Sequence, residues 1–173
     1  MNGVSAEART RMLRVNHAGE YGAQRIYEGQ LAVLGRHALA PRIRHMAAQE
    51  KKHLETFTAL LLKHNVRPTL LQPLWHVAGF ALGAGTALLG AKAAMACTAA
   101  VEEVIEGHYA AQAEALGDTQ PDIKAAIDSA SHDEVAHKQE ALEYGAETLP
   151  GYPIFKAVIT FGSIAAIWLS QRV

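Results

Sequence analysis

Glu50-Lys51-Lys52-His53 and Glu134-Val135-Ala136-His137 are two copies of one pattern, Glu-x-x-His, each preceded by a single glutamate. Glu20 stands 30 residues before the first pair, and Glu102 stands 32 residues before the second. On an α-helix, residues i and i+3 share a face, so each pair presents a carboxylate and an imidazole together. Two such helices, with two further helices carrying one glutamate each, supply the ligands of a di-iron carboxylate four-helix bundle. The pattern predicts an oxygen-activating metalloenzyme.

The interval between each single glutamate and its pair fits an antiparallel helical hairpin. A helix rises ~1.5 Å per residue, so such an interval covers two arms of ~3–4 turns and a loop. The glutamate and the pair therefore return to the same height in the bundle. The symmetric assignment gives Glu20, Glu50 and His53 to one metal and Glu102, Glu134 and His137 to the other, with Glu50 and Glu134 as bridging carboxylates.

The composition favours a single helical domain covering residues 1–173. Half of the 173 residues are hydrophobic and only 6% are aromatic, with alanine and leucine dominant. The net charge of −1 implies no general attraction to nucleic acid. Cys97 is the only cysteine in the sequence, which excludes a disulfide framework and a rubredoxin-like site. The first nine residues lack an apolar core, so we do not expect a signal peptide.

Hydrophobic periodicity predicts four bundle helices. Ser5 is the expected N-cap of the first, Gly35 its stop, and Pro41 the first turn of the second. The expected helices span about 5–34, 41–64, 92–116 and 121–147. Small and medium side chains form the predicted core of the third helix: Ala94, Cys97, Val101, Ile105 and Ala110.

Two apolar segments lie outside the four bundle helices. Residues 70–91 contain no charged side chain, and residues 152–169 contain one, Lys156. Each is marginal for crossing a hydrocarbon core of ~30 Å, and one crossing at 70–91 would put the second and third helices on opposite sides. We therefore expect two membrane-associated helices resting in one leaflet, with Trp75 and Trp168 near the interface. The alternative is that both segments cap the bundle.

The ligand set constrains the chemistry. Four carboxylates balance two ferrous ions, whereas an empty site would bury uncompensated acids at high cost. Metal binding should therefore stabilise the fold. Carboxylate and imidazole ligands suit iron or manganese, and six protein ligands leave positions open for dioxygen. An apolar access route would select an apolar substrate.

Several neighbours of the ligands are weaker candidates. Tyr109, seven residues after Glu102, shares its helix face and is a candidate for hydrogen bonding to a ligand, or else an ordinary core tyrosine. His108 points away from Glu102 but is a candidate to meet a neighbouring helix. Glu106 is expected at the bundle edge, and His17 is a weaker candidate. Surface positions are expected for His37, His45, His64, His76 and His132.

The sequence resembles a known family over almost its whole length. Residues 14–23 (Arg-Val-Asn-His-Ala-Gly-Glu-Tyr-Gly-Ala), followed by Arg25-Ile26-Tyr27, resemble the opening of the demethoxyubiquinone hydroxylases. The departures, such as Asn16 and Glu106, do not touch the ligands. Further similar stretches follow in the same order: Arg67-Pro68-Thr69, Pro73-Leu74-Trp75, residues 79–90, residues 94–98, Val101-Glu102-Glu103 and His108-Tyr109.

The resemblance implies a ferritin-like di-iron monooxygenase of ubiquinone biosynthesis. Such an enzyme hydroxylates the ring of a polyprenylated demethoxybenzoquinol with O2, and NADH is the implied reductant. It works at a membrane surface, either the cytoplasmic face of a bacterial membrane or the matrix face of the mitochondrial inner membrane. A partner in a quinone-biosynthesis complex and a homo-oligomer are expected on the same ground. The family's iron ligands fall on Glu20, Glu50, His53, Glu102, Glu134 and His137, and its residues near the metal on His108 and Tyr109.

Three rival interpretations use the same residues. An iron-storage ferritin would need a soluble, cage-forming surface, which the two uncharged segments disfavour. A different ferritin-like diiron oxidase or a peroxidase is the second, although a rubrerythrin-like peroxidase normally carries a cysteine-rich module. The third is a membrane scaffold without activity, and six ligands retained in register argue against it.

Overall fold

Residues 4–173 are described by a computed structural model, and within them the chain forms six α-helices and one short 3₁₀ helix. No strand occurs in this part of the chain, so the all-α prediction is confirmed. Residues 1–3, part of the segment expected not to be a signal peptide, lie outside the described residues. The helices are α1 (Ala6–Leu34), α2 (Ala40–Lys63), α3 (Gln72–Leu88), α4 (Ala91–Leu116), α5 (Pro121–Glu143) and α6 (Tyr152–Ser170), with the 3₁₀ helix at Ala146–Thr148.

Helices α1, α2, α4 and α5 form a four-helix bundle, as expected for a ferritin-like fold. The hairpins α1–α2 and α4–α5 pack closely, and α2 meets α5 across the bundle. Two of its apolar clusters fill the two ends of the interior. One contains Tyr27, Ile43 and Met46, and the other contains Phe57 and Tyr109. Along each bundle helix, residues of one cluster precede the predicted metal ligands and residues of the other cluster follow them. The ligands therefore lie between two apolar clusters.

Local sequence explains most helix ends. The Ser5 side chain accepts a hydrogen bond from the Ala8 amide at 3.1 Å, which confirms the predicted N-cap. Pro41 and Pro121 lie in the first turns of α2 and α5. The predicted end of α5 near residue 147 is wrong, because Gly145 adopts φ 96° and breaks the helix after Glu143.

One predicted core position on α4 is also wrong. Ala94, Cys97 and Val101 are buried as expected, but Ala110 is exposed and Ile105 is half-buried. The amino-terminal half of α4 is covered on several sides, whereas its later turns leave one side open to solvent. An alanine carries too little hydrophobic signal to distinguish the two halves.

Helix α3 lies directly against α1, with backbone touching backbone. A Cβ atom at Gly83 would lie 1.9 Å from the Ile26 carbonyl oxygen, and one at Gly29 would lie 2.2 Å from that of Phe80. A Cβ at Gly79 would lie 2.9 Å from the Gly22 carbonyl oxygen. Only glycine allows this approach.

Helices α3 and α6, which we call the apolar layer, cover one side of the bundle. They are joined where the Trp75 indole donates to the Ser170 hydroxyl at 3.0 Å. Of the described helices, α6 is the one that is long and apolar enough to cross a membrane. Only 11% of its most apolar stretch of 18 residues is buried inside the protein, so the outer face of α6 is not part of a protein core. Large hydrophobic side chains are exposed on the layer, among them Leu74, Val77, Leu88, Ile154, Val158, Phe161, Ile164 and Trp168.

Candidate metal centre

All six predicted ligands meet at the middle of the bundle. They form two overlapping groups whose ligand atoms lie within 4.8 Å of one another, and each group could hold a metal ion. Every member is at least 94% buried. We call these six residues together the cage. The first group is Glu20, Glu50, His53 and Glu134, and the second is Glu50, Glu102, Glu134 and His137.

Glu50 and Glu134 belong to both groups, and each divides its oxygens between the two histidines. Glu50 places Oε1 3.1 Å from Nδ1 of His137 and Oε2 3.9 Å from Nδ1 of His53. Glu134 places Oε1 3.8 Å from Nδ1 of His53 and Oε2 3.6 Å from Nδ1 of His137. A carboxylate in this position can bridge two cations.

The cage contains buried polar atoms that have no hydrogen-bond partner. Buried polar groups are normally paired, so a set of unpaired atoms in one place requires an explanation. A pair of divalent cations fits, because every unpaired atom of the cage is an oxygen or imidazole nitrogen suited to coordination. These atoms are Oε2 of Glu20, both oxygens of Glu50, Nδ1 of His53, Oε2 of Glu102, both oxygens of Glu134 and Nδ1 of His137.

Burial acts strongly on the carboxylates. It raises the pKa of Glu20 to about 8 and the pKa values of Glu102 and Glu134 well above their usual range, and neighbouring carboxylates add to these shifts. Burial also opposes ionisation of Glu50, but attraction to the nearby imidazoles of His137 and His53 outweighs it and lowers the pKa of Glu50 to about 2.

The histidines respond in the opposite sense. Burial alone would lower the pKa of His53, but the nearby carboxylates of Glu20 and Glu50 outweigh it and raise the pKa to about 11. The pKa of His137 is raised for the same kind of reason, chiefly through Glu50 and Glu102. Protons therefore neutralise the cage in the absence of another cation, and metal ions would have to displace them.

The outer nitrogen of each histidine is held by the opposite half of the chain. His53 donates from Nε2 to Asp133 at 2.9 Å, and His137 donates from Nε2 to Gln49 at 3.0 Å. These bonds orient the Nδ1 atoms into the cage, as the outer hydrogen bonds of metal-bound histidines do. Sequence reasoning missed both partners, although each directly precedes the glutamate of a Glu-x-x-His pair.

Two tyrosines hold the remaining glutamates by the same crossed arrangement. Tyr109 on α4 donates to Glu20 on α1, and Tyr27 on α1 donates to Glu102 on α4 at 2.7 Å. Tyr109 was a candidate for such a bond, but Tyr27 was not. Its signal was available, because Tyr27 follows Glu20 by seven residues, just as Tyr109 follows Glu102.

The other candidates lie outside the cage. His108 is half-buried, and its Nε2 lies 2.7 Å from Nε2 of Gln112, which also exchanges two hydrogen bonds with Asn16. Glu106 pairs with Lys138 at the bundle edge.

The remaining histidines are mostly as expected. His17 is buried, and burial lowers its pKa. His37, His45, His76 and His132 are exposed. The expectation for His64 is wrong, because it is half-buried and pairs with Asp122 at 3.0 Å.

An apolar cavity of about 420 Å³ lies between the bundle and the apolar layer. Its wall includes Gly19 and Gly22 of α1, Val101 of α4 and residues of α3 and α6. A Cβ atom added at either glycine would meet no other atom within 4 Å, so both positions border open space. Because Gly19 and Val101 directly adjoin cage residues Glu20 and Glu102, the cavity runs beside the cage.

The chain is similar to known proteins along most of its length. A family model described as ubiquinone biosynthesis protein COQ7 matches residues 7–170. A protein of Rhodospirillum rubrum named 3-demethoxyubiquinol 3-hydroxylase is 56% identical over 94% of this chain and 77% of its own. The mouse NADPH-dependent 3-demethoxyubiquinone 3-hydroxylase, mitochondrial, is 48% identical over 99% and 81%. A yeast protein named 5-demethoxyubiquinone hydroxylase, mitochondrial, is 39% identical over 94% and 77%.

Proposed function

Because the chain belongs to the ubiquinone biosynthesis protein COQ7 family, we propose that it hydroxylates the ring of a polyprenylated demethoxybenzoquinol, using O2 and a pair of iron ions. The reaction makes it a 3-demethoxyubiquinol 3-hydroxylase. One observation carries the proposal: unpaired oxygen and nitrogen atoms converge in a buried cage that adjoins an apolar cavity. Residues 1–173 act as one ferritin-like domain in this proposal.

The six cage residues are the proposed iron ligands, with Glu50 and Glu134 as bridges. When bound, the two ferrous ions supply the redox chemistry by which one oxygen atom of O2 enters the ring and the other becomes water, with two electrons from a reductant. Tyr27 and Tyr109 hold Glu102 and Glu20 in place, and Asp133 and Gln49 fix the two imidazoles. The apolar clusters on either side keep water away from the ligands.

The cavity is the proposed site for the quinol. Its wall is almost wholly hydrocarbon, which suits a prenylated ring and disfavours a charged substrate. Gly19 and Val101 bring its floor next to Glu20 and Glu102, so a ring there lies close to the cage. Gly22 leaves room on the α1 side, where a larger side chain would narrow the cavity.

The apolar layer is the proposed membrane contact. An exposed hydrocarbon face on both α3 and α6 suits helices that lie in one leaflet, and the cavity opens between them and the bundle. Trp168, with the Arg172 guanidinium 3.9 Å from its ring centre, fits the interface between lipid and water. The proposed location is peripheral, on the cytoplasmic face of a bacterial membrane or the matrix face of the mitochondrial inner membrane.

A reduced nicotinamide nucleotide is the proposed reductant. The resemblance favours NADH, whereas the name of the mouse relative specifies NADPH, so both belong in the assay. A quinone-biosynthesis partner and a homo-oligomer remain proposals. Another diiron oxidase would use the same cage on a different substrate, whereas an iron-storage protein would use the cage without requiring the cavity.

The decisive experiment measures iron per chain and product together. Protein purified in detergent receives a demethoxyubiquinol analogue, O2 and either NADH or NADPH. We expect two irons per chain and hydroxylated quinol. Glu134→Ala should lose both the iron and the product, because Glu134 is the proposed bridge between the two metals.

Glu143→Ala is the matched control, since Glu143 lies on the same helix but faces solvent. It should keep the iron and the product. Two irons without hydroxylation would move the assignment to another oxidase or to storage. Absence of stoichiometric iron would overturn the metal centre itself.

A further inference from the structure

The two halves of the cage mirror each other with one chemical exception. Glu20, the first pair and Tyr27 correspond to Glu102, the second pair and Tyr109. The residue before each pair also corresponds, since both accept a hydrogen bond from the opposite histidine. In the first half this residue is Gln49, an uncharged amide, and in the second half it is Asp133, a carboxylate. The proposed mechanism does not use this difference.

The two acceptors affect their histidines differently. A carboxylate accepting from Nε2–H forms a charge-assisted hydrogen bond, roughly twice as strong as a bond to a neutral amide. It also pushes electron density through the ring, which makes Nδ1 a better donor to a cation. His53 therefore offers a stronger ligand atom than His137, although both rings are oriented equally well, with donor–acceptor distances of 2.9 and 3.0 Å.

The charge of Asp133 adds a second, smaller effect of the same sign. Its side chain is 26% exposed, so water screens part of this charge. His132, its other neighbour, lies 3.7 Å away and is itself 86% exposed. The charge of Asp133 also reaches His137, but Asp133 is in direct contact with His53 and therefore attracts a cation more strongly on that side. Gln49 adds no charge on the His137 side.

We infer that the two metal positions are unequal, and that the position at His53 binds a divalent cation first and more tightly. This inference rests on the proposed dinuclear centre. Outer hydrogen-bond partners of metal ligands typically change affinity by about 10–100-fold, so the two dissociation constants should differ by at least about tenfold. Asp133 and Gln49 are positioning residues that act through the histidines.

Titration of metal-free protein with Mn²⁺, followed by calorimetry and electron paramagnetic resonance, tests the inference. The first equivalent should give the signal of an isolated ion, and the signal of a coupled pair should appear only with the second. Asp133→Asn should weaken the first constant about tenfold or more and bring the two together. Gln49→Glu gives His137 a carboxylate and should tighten the second constant.

Asp128→Asn provides the control, because it removes a charge from the same helix at an exposed carboxylate that pairs with Lys124. Circular dichroism establishes that each variant is folded. Two equal constants in the wild-type protein, or equal effects of Asp133→Asn and Asp128→Asn, would overturn the inference while leaving the dinuclear centre intact. Binding of fewer than two ions by the wild-type protein would overturn the centre as well.

Discussion

The cage and the apolar layer depart from the usual arrangement of a water-soluble protein in opposite ways. The cage places four carboxylates and two imidazoles where water is excluded, whereas the layer presents large hydrocarbon side chains to the surroundings. Each departure is costly when the chain is considered alone. In the proposed function, each cost is relieved by a different component, namely cations inside the bundle and lipid or a prenyl chain outside it. An energetically costly feature of a folded chain can thus indicate the chemistry of the component that relieves the cost.

Removal of metal from the cage should have the largest effect on the stability of the fold. A cation that binds the folded chain and not the unfolded one, supplied at a thousand times its dissociation constant, should stabilise the fold by about 4 kcal/mol for each occupied position. Urea unfolding with saturating Fe²⁺ under argon, compared with chelated protein, measures this difference. Equal unfolding midpoints would show that the cage does not depend on metal.

The free energy of unfolding of the metal-free protein should vary with pH. The pKa of Glu20, raised to about 8, means that the folded state binds more protons than the unfolded state between its ordinary 4.5 and 8. The contribution of His53, whose pKa is raised to about 11, is complete below its ordinary 6.5 and is lost as pH rises. Both effects lower the free energy of unfolding as pH increases, whereas the lowered pKa of Glu50 acts only below 4.5.

Chelated protein should therefore unfold at lower urea near pH 8 than near pH 6. The stabilisation by metal should change in the opposite direction, because fewer protons remain to be displaced. A metal-free protein that becomes more stable over this interval would contradict the account of how protons neutralise the cage.

The junction between the layer and the bundle should give the next largest effect. Gly83→Ala places a methyl group against the Ile26 carbonyl oxygen and should destabilise the fold by about 1–3 kcal/mol. Gly85→Ala, two residues along α3, meets nothing within 4 Å and should stabilise it by roughly 0.5–1 kcal/mol. Thermal unfolding of both variants measures the contrast, and equal effects would mean that α3 can move away from α1.

The outer face of the layer should affect membrane binding without affecting the fold. Phe161 on α6 is 76% exposed, and Phe161→Glu removes a side chain whose burial is worth about 1.5–3 kcal/mol. We expect at least about a tenfold loss of binding to phospholipid vesicles in a flotation assay. Leu62→Glu, equally exposed at 75% but on α2, should bind as the wild type does. Equal losses in the two variants would argue against a membrane face on α6.

Tyr27→Phe should have a small effect on stability. It removes the hydroxyl that donates to Glu102 and leaves the ring in its cluster, so the fold should lose about 1 kcal/mol. Metal affinity should fall by about 10–100-fold, as after loss of other outer hydrogen bonds. Tyr109→Phe should behave alike, because it acts on Glu20 in the other half. Unchanged affinity in both would show that the tyrosines only fill space.

The sequence alone predicted the bundle and the gathering of the six cage residues, because helical spacing is a local property. It missed Gln49, Asp133 and Tyr27, since these residues act across the bundle on side chains of the opposite half. Such contacts depend on the axial offset and rotation of packed helices. No fixed spacing of residues along the sequence reveals either quantity. The early end of α5 was missed because Gly145 interrupts a pattern that otherwise continues toward Glu147.

The four hydrogen bonds that orient the cage all cross between the amino-terminal and carboxy-terminal hairpins. Asp133 and Gln49 each hold the other hairpin's histidine, and Tyr27 and Tyr109 each hold the other hairpin's glutamate. Neither hairpin can shape its own half of the site. A single hairpin would therefore leave its own histidine and glutamate unheld. The site needs two hairpins at once, and α3 joins them in one chain so that they always meet in equal number.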